Sequence, residues 1–248
     1  MAAPSFVGAG SGVVWQSGAG LAVTKAGCTV GNLVILQIGV DGNDTATLSS
    51  ISGVEALDGT DNTWTTGPNS VAVTQLSAYW YLGRATGTTV STAVASSSGP
   101  DTYSRIYEFS GVATGTTLAT VIENGAGTAA AGGPTNAASI TDVGVTTNDT
   151  DRLAINLVWV NDDNAVGSFT GETGGNWTEA VAEYAVTTGT DMCLQLQTAG
   201  MASAGTINGG SYSMGVADYW YVIGFALIPA PPLPIPTVVI PQGIGATA

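Results

Sequence analysis

No stretch of this chain carries the 3.6-residue apolar spacing of an amphipathic helix. Its apolar residues instead alternate, or run in short blocks closed by turn formers. That pattern leaves little room for anything but strands. Leu33-Val34-Ile35-Leu36-Gln37-Ile38-Gly39-Val40 is such a block, bounded by Gly31-Asn32 and by Asp41-Gly42-Asn43-Asp44. It predicts a core strand followed by a turn. Residues 71–82, from Val71 to Leu82, form a long β-rich stretch ended by Gly83. Thr89–Ala95 and Arg105–Phe109 alternate polar and apolar, and Ser110-Gly111 closes the second. The 35 glycines and many Thr-Gly and Asn-Gly-type breaks place turns every 8 to 12 residues or so, as in sandwiches and jelly rolls. The expected fold is all-β: an antiparallel β-sandwich, jelly-roll-like.

The chain also repeats itself weakly. Asn32–Asp41 resembles Arg152–Asn161, and both run into an acidic turn. Asn62-Thr63-Trp64-Thr65 resembles Asn176-Trp177-Thr178, and Tyr103–Phe109 resembles Tyr219–Phe225. The offsets, about 120, 113 and 116, agree well enough to suggest a duplicated four-strand unit. Two such units, about 30–112 and 150–228, are expected to supply the two sheets of one sandwich, because one alone buries too little. The division is therefore a Gly/Ala/Ser-rich segment at 1–29, a sandwich domain at 30–228 and an extended arm at 229–248. That arm holds six of the ten prolines and no charge. Proline enforces an extended conformation, and a merely flexible tail is normally polar. This one carries Leu233, Ile235, Val238, Val239, Ile240 and Ile244, which are the candidate partner-binding residues.

Charge narrows the function. There is no histidine, and four basic residues (Lys25, Arg84, Arg105 and Arg152) face eighteen acids, for a formal net charge of -14. Four scattered cations cannot build a phosphate-binding stripe, so nucleic acid is excluded as a partner. Anionic membrane surfaces are disfavoured in the same way. No apolar run approaches the ~18 residues of a membrane helix, and the Met-Ala-Ala-Pro-Ser-Phe start has no secretory signature. Synthesis in a host cytoplasm is the expectation. Charged residues are only 9% of the chain, against about 25% in ordinary domains. Such a surface is expected to be covered by neighbours. Cys28 and Cys193 read as two buried thiols, and without histidine or a CxxC motif a zinc site is not expected.

Candidates for chemistry are sparse. A Ser-His-Asp or Cys-His arrangement is excluded. Acid pairs sit in turns at Asp41/Asp44, Asp58/Asp61, Asp149/Asp151 and Asp162/Asp163. Asp58-Gly59-Thr60-Asp61-Asn62 has a composition calcium accepts, but Asp and Asn are also the commonest turn formers, and no metal or cofactor is expected. A glycosidase carboxylate pair would draw on Glu108, Glu172 or Glu179, and nothing singles out two of them. Aromatics cluster at Trp64, Tyr79-Trp80-Tyr81, Trp177 and Tyr219-Trp220-Tyr221. Exposed, Trp64 and Trp177 would stack on sugar rings. On alternating strands at least half must face a core, and the middle of each triad points away from its neighbours.

The strand opening Gly31-Asn32-Leu33-Val34, Trp64 in a turn, the Tyr79–Gly87 segment and Ile106–Val112 together resemble β-sandwich proteins of tailed-bacteriophage virions. The resemblance spans roughly residues 30–228. It implies a structural, non-enzymatic role without cofactor: a capsid decoration or cement protein clamping major capsid protein subunits on the virion surface, assembled as a trimer or other homo-oligomer. The alternative is a tail or fibre adhesin, or a carbohydrate-binding module, gripping host glycans through Trp64 and Trp177.

Overall fold

The computed structural model describes residues 2–15, 20–73, 75–96, 102–125, 129–161, 177–184 and 192–232. The alternating segments form strands. In chain order the first half gives β1 (Ser5–Ala9), β2 (Val13–Trp15), β3 (Leu21–Ala26), β4 (Leu33–Asp41), β5 (Ala46–Ser52), β6 (Val54–Glu55), β7 (Thr65–Thr66), β8 (Val71–Val73), β9 (Leu76–Ala85), β10 (Thr89–Ser96) and β11 (Thr102–Ser110). A single helical turn, α1 (Leu118–Val121), leads into the second half. There follow β12 (Ile122–Glu123), β13 (Ala130–Thr141), β14 (Val145–Thr147), β15 (Arg152–Val160), β16 (Thr178–Tyr184), β17 (Cys193–Met201), β18 (Gly205–Ile207) and β19 (Ser211–Leu227). Pairing is antiparallel throughout these strands. The protein is an all-β, sandwich-like fold.

Two large sheets make the centre. The first runs β1-β11-β4-β9-β6, with β2 on β11 and β7 and β8 on β9. The second runs β12-β19-β15-β17-β16, with β13 also on β19. Each therefore sets its long central strand, β4 or β15, between the last long strand of its half and the middle one. The registers differ by two residues: Leu33 faces Phe109, whereas Phe225, the counterpart of Phe109 in the weak repeat, faces Ile155 rather than Leu153. The period-two alternation sends Leu33, Ile35, Trp80, Leu82, Tyr107 and Phe109 inward from the first sheet, onto Leu153, Ile155, Leu157, Trp159, Ile223 and Phe225 of the second. Trp80 stacks on Phe225 with ring centroids 4.7 Å apart and planes 15° from parallel. Polar groups cross the seam as well. Gln37 Nε2 donates to the Val158 carbonyl and Trp159 Nε1 to the Ile38 carbonyl, each at 2.8 Å. Gly39 lets the seam close tightly here: a Cβ would displace the Met192 methyl and press on Leu194 and Trp159.

The opposite faces carry thinner layers. Val34, Leu36, Ile38 and Ile106 pack on Val23, Val90 and Val94 of the three-stranded sheet β3-β10-β5. On the far side, Ala154, Ala199 and Ala226 meet Val145 and Ile207 of the β14-β18 pair.

Residues 1–29, set apart by sequence as a Gly/Ala/Ser-rich segment, supply β1 and β2 on β11 and β3 on β10. Their Gly and Ala content hides the strands because close crossing demands small residues; a Cβ at Gly10 would strike the Thr24 carbonyl. The β-rich stretch 71–82 is a hairpin, with Val73 paired to Leu76, and Gly83 does not end it: β9 runs on to Ala85.

Candidate functional site

All four basic residues are buried: Lys25, Arg84, Arg105 and Arg152 are each at most 9% exposed. Each is spent on fastening a crossing. Arg84 Nη2 donates to the Ala113 carbonyl. Arg105 Nε donates to the Gly10 carbonyl at 2.9 Å, pinning the β1–β2 junction to β11. Arg152 Nε meets Glu123 Oε1 at 2.8 Å, tying β15 to β12. Lys25 Nζ reaches Glu108 Oε2 at 3.0 Å, joining an outer strand, β3, to β11 of the first large sheet. The charges the described surface presents are therefore acidic.

The Lys25–Glu108 node is the most elaborate of these. Alternation on β3 turns Val23 and Lys25 toward the first sheet, and alternation on β11 turns Ile106 and Glu108 toward β3. Between β3 and β4 the chain makes a turn, closed by the Asn32 N–H on the Thr29 carbonyl at 3.1 Å. Gly31 sits in it at φ +87°, where a type II turn needs glycine. That turn aims two donors at one carboxylate oxygen: the Thr29 N–H and Asn32 Nδ2 both bond Glu108 Oε1 at 2.8 Å. Lys25 takes the other oxygen and also donates to the Ala26 carbonyl at 2.9 Å. Glu108 is fully buried. Burial pushes its carboxyl up, but the Thr29 N–H, Asn32 amide and Lys25 ammonium outweigh this and hold it below the usual range.

Above the node lies a groove of about 440 Å3 between the Ala9–Val13 segment and β3, lined by Ala9, Gly10, Val13, Ala22, Thr24 and Lys25. It is flanked by β1 and β3, which stand at the ends of their sheets. The exposed large apolar side chains of the described residues include Val7 on β1, Leu21 on β3 and Val30 in the turn before β4.

The residues marked by sequence are distributed differently. Trp64 and Trp177 are buried, their indole N–H groups donating to Thr92 Oγ1 at 2.9 Å and the Asn208 carbonyl at 3.0 Å. Neither is presented to a sugar. Trp80 and Trp220 are also buried. Glu108 is sealed from solvent, Glu172 lies outside the described residues, and Glu179 is on β16 in register with Gln197. The Asp162/Asp163 turn lies outside the described residues, and the Asp58 turn is occupied by its own chain: the Thr60 side chain and the Thr60 N–H, which donates to Asp58 Oδ1 at 3.0 Å, lower the Asp58 pKa. Asp149 caps Thr150 and faces Arg152. Among the described residues no three metal-ligating side chains converge. Cys28 and Cys193 are both buried, in separate clusters. Leu233, Ile235, Val238, Val239, Ile240 and Ile244 lie outside the described residues. Their point of departure does not: Pro229 bridges Val112, and the Ala230 N–H donates to the Gly111 carbonyl at 2.8 Å.

Sequence reading missed the Lys25–Glu108–Asn32 node. The available signal was a lone lysine at an inward position of Ala22-Val23-Thr24-Lys25-Ala26, where alternation asks for an apolar residue. No family model matches this chain, and no curated protein matches it either.

Proposed function

We propose that this is a non-enzymatic structural protein of a tailed-phage virion, a capsid decoration or cement protein that braces the shell by holding major capsid protein subunits together. The observation that carries the reading is where the chemistry has gone. Every cation, the four tryptophans of the aromatic clusters and the most elaborate carboxylate site are turned inward to fasten strands. What faces outward is polar, acidic and sparsely charged, and it suits attachment to a cationic neighbour more than turnover of a substrate. The fold then holds its C-terminal exit firmly at Pro229–Ala230 and hands it to an uncharged apolar arm. Laid along a neighbour, such an arm contributes several kcal/mol, at ~25 cal/mol per Å2 of apolar burial, before ordering costs. Copies arranged as a closed homo-oligomer, a trimer on a three-fold capsid position, would act together.

The test is binding of the purified protein to undecorated phage capsids, with and without residues 233–248, a truncation that leaves the Pro229 bridge intact. Saturable, arm-dependent binding in a fixed ratio to coat subunits supports the reading. Absence of binding by the full chain refutes it.

A further inference from the structure

We propose that Lys25, Glu108 and Asn32 are a self-processing triad that joins the Lys25 side chain to the Asn32 side chain as an amide, with release of ammonia. The proposal concerns the chain's own covalent structure and stands apart from where the protein acts.

Three observations carry it. Lys25 is the single lysine of the chain, and it is buried, where a lysine rarely goes unless committed. Its Nζ and the Asn32 amide nitrogen are held on the two oxygens of one carboxyl group, at 3.0 and 2.8 Å. That carboxyl is fully buried, with Val34 as its residue's register partner on β4 and the Cys28 thiol near enough to feel its charge. A side-chain amine and a carboxamide do not condense in water, because the amine is protonated and amide nitrogen leaves poorly. A shared buried carboxyl group meets both difficulties, since it can take a proton from one nitrogen and deliver one to the other. The strand pairing and the Gly31 turn hold both nitrogens on this one carboxyl group, which shortens the search the amine must make for the carboxamide.

The step balances. The Lys25 ammonium passes a proton to Glu108, giving a neutral amine and a carboxylic acid. The amine lone pair attacks Asn32 Cγ and an N–C bond forms. Glu108 then relays protons from the new nitrogen to Nδ2, the Cγ–Nδ2 bond breaks, and ammonia departs. A secondary amide and a protonated Glu108 remain. Because the donors around Glu108 favour the ion pair, the neutral pair is the minor form. The reaction is therefore slow, but it happens once per chain and is drawn forward as ammonia leaves. The product staples β3 of the outer layer to the head of β4 in the first large sheet.

Intact-mass measurement and tryptic digestion of the full-length, denatured protein test this. The linked chain is lighter by one ammonia, and trypsin fails to cut after Lys25, so residues 1–84 remain one peptide. Asn32→Ala restores the unlinked mass and the cut. Glu108→Gln does the same in protein whose circular dichroism is unchanged. Should that variant fail to fold, Asn32→Ala and Lys25→Met decide the matter. A wild-type chain of full mass that is cut after Lys25 overturns the proposal. So does one that has lost ammonia yet is still cut there, since that is a cyclic imide at Asn32.

Discussion

Trp80→Ala is the substitution that most directly tests how the two large sheets are held together. The indole is fully buried and lies flat on Phe225 of the opposite sheet at 4.7 Å. Its N–H donates to the Pro68 carbonyl at 2.8 Å. Truncating a buried aromatic costs about 3–5 kcal/mol in transfer and cavity terms. A stacked pair adds about 0.5–1.5 kcal/mol beyond its area. Pro68 is half-buried, so water can recover part of the lost hydrogen bond. The expected loss is about 5 kcal/mol, a third or more of an ordinary domain's stability. Trp80→Phe keeps a ring over Phe225 and gives up the N–H, and should cost about 1–2 kcal/mol. Urea unfolding followed by far-ultraviolet circular dichroism is the assay, since six tryptophans blur fluorescence. A double cycle with Phe225→Leu should return a coupling of about 0.5–1.5 kcal/mol. An alanine variant losing under about 2 kcal/mol, or a phenylalanine variant as damaged as alanine, would show that the sheets do not depend on this contact.

Three other measurements bear on the same interior. Gly67→Ala drives a Cβ into the Trp80 indole; a loss of about 1–3 kcal/mol in urea unfolding is expected, and an unchanged midpoint would contradict the packing. Burial raises the Cys28 thiol pKa, so the folded protein should resist a thiol reagent at mildly alkaline pH until urea is added; rapid labelling without urea would place the thiol in solvent. Burial also raises the phenols of Tyr81 and Tyr221. Groups with folded pKa above unfolded contribute stability that is whole below the unfolded values, about 8.5 for Cys and 10 for Tyr, and is lost as pH rises through the folded ones. The urea midpoint should accordingly fall on the alkaline side, less steeply in Cys28→Ala, and a flat profile there would argue against these burials.

The fold was legible where periodicity speaks. Leu33–Val40 and the segment at Arg152–Asn161 announce central strands because sheets buried on both faces lose their polar alternation. The triad Tyr79-Trp80-Tyr81 places its middle residue on the opposite face to its neighbours, and Trp80 does face the seam. Residues 1–29 were opaque because their strands are short and the chain between β1 and β2 crosses β3 so closely that only Gly10 fits there. The node at Glu108 was opaque for another reason. It joins β3, a turn and β11 across 83 residues of separation, and such meetings follow from which layer covers which face rather than from local pattern. Trp64 and Trp177 were ambiguous in sequence, since a tryptophan beside a turn reads the same whether it closes a core or meets a ligand.

The strand order also dictates when this protein can be safe during its manufacture. β19 is the last strand of the described residues, yet it occupies the middle of the second large sheet, between β15 and β12 with β13. The first sheet is complete once Ser110 has emerged, but the surface that covers Trp80, Leu33 and Tyr107 cannot close until Leu227 follows. At roughly 5–20 residues per second this leaves half an oily interior open on the ribosome for on the order of 10 seconds. A chain that stops early keeps it open permanently. Premature termination anywhere in the second half should therefore yield a sticky, aggregation-prone product rather than a smaller working one, and the cell's holding chaperones become part of the yield of the finished protein.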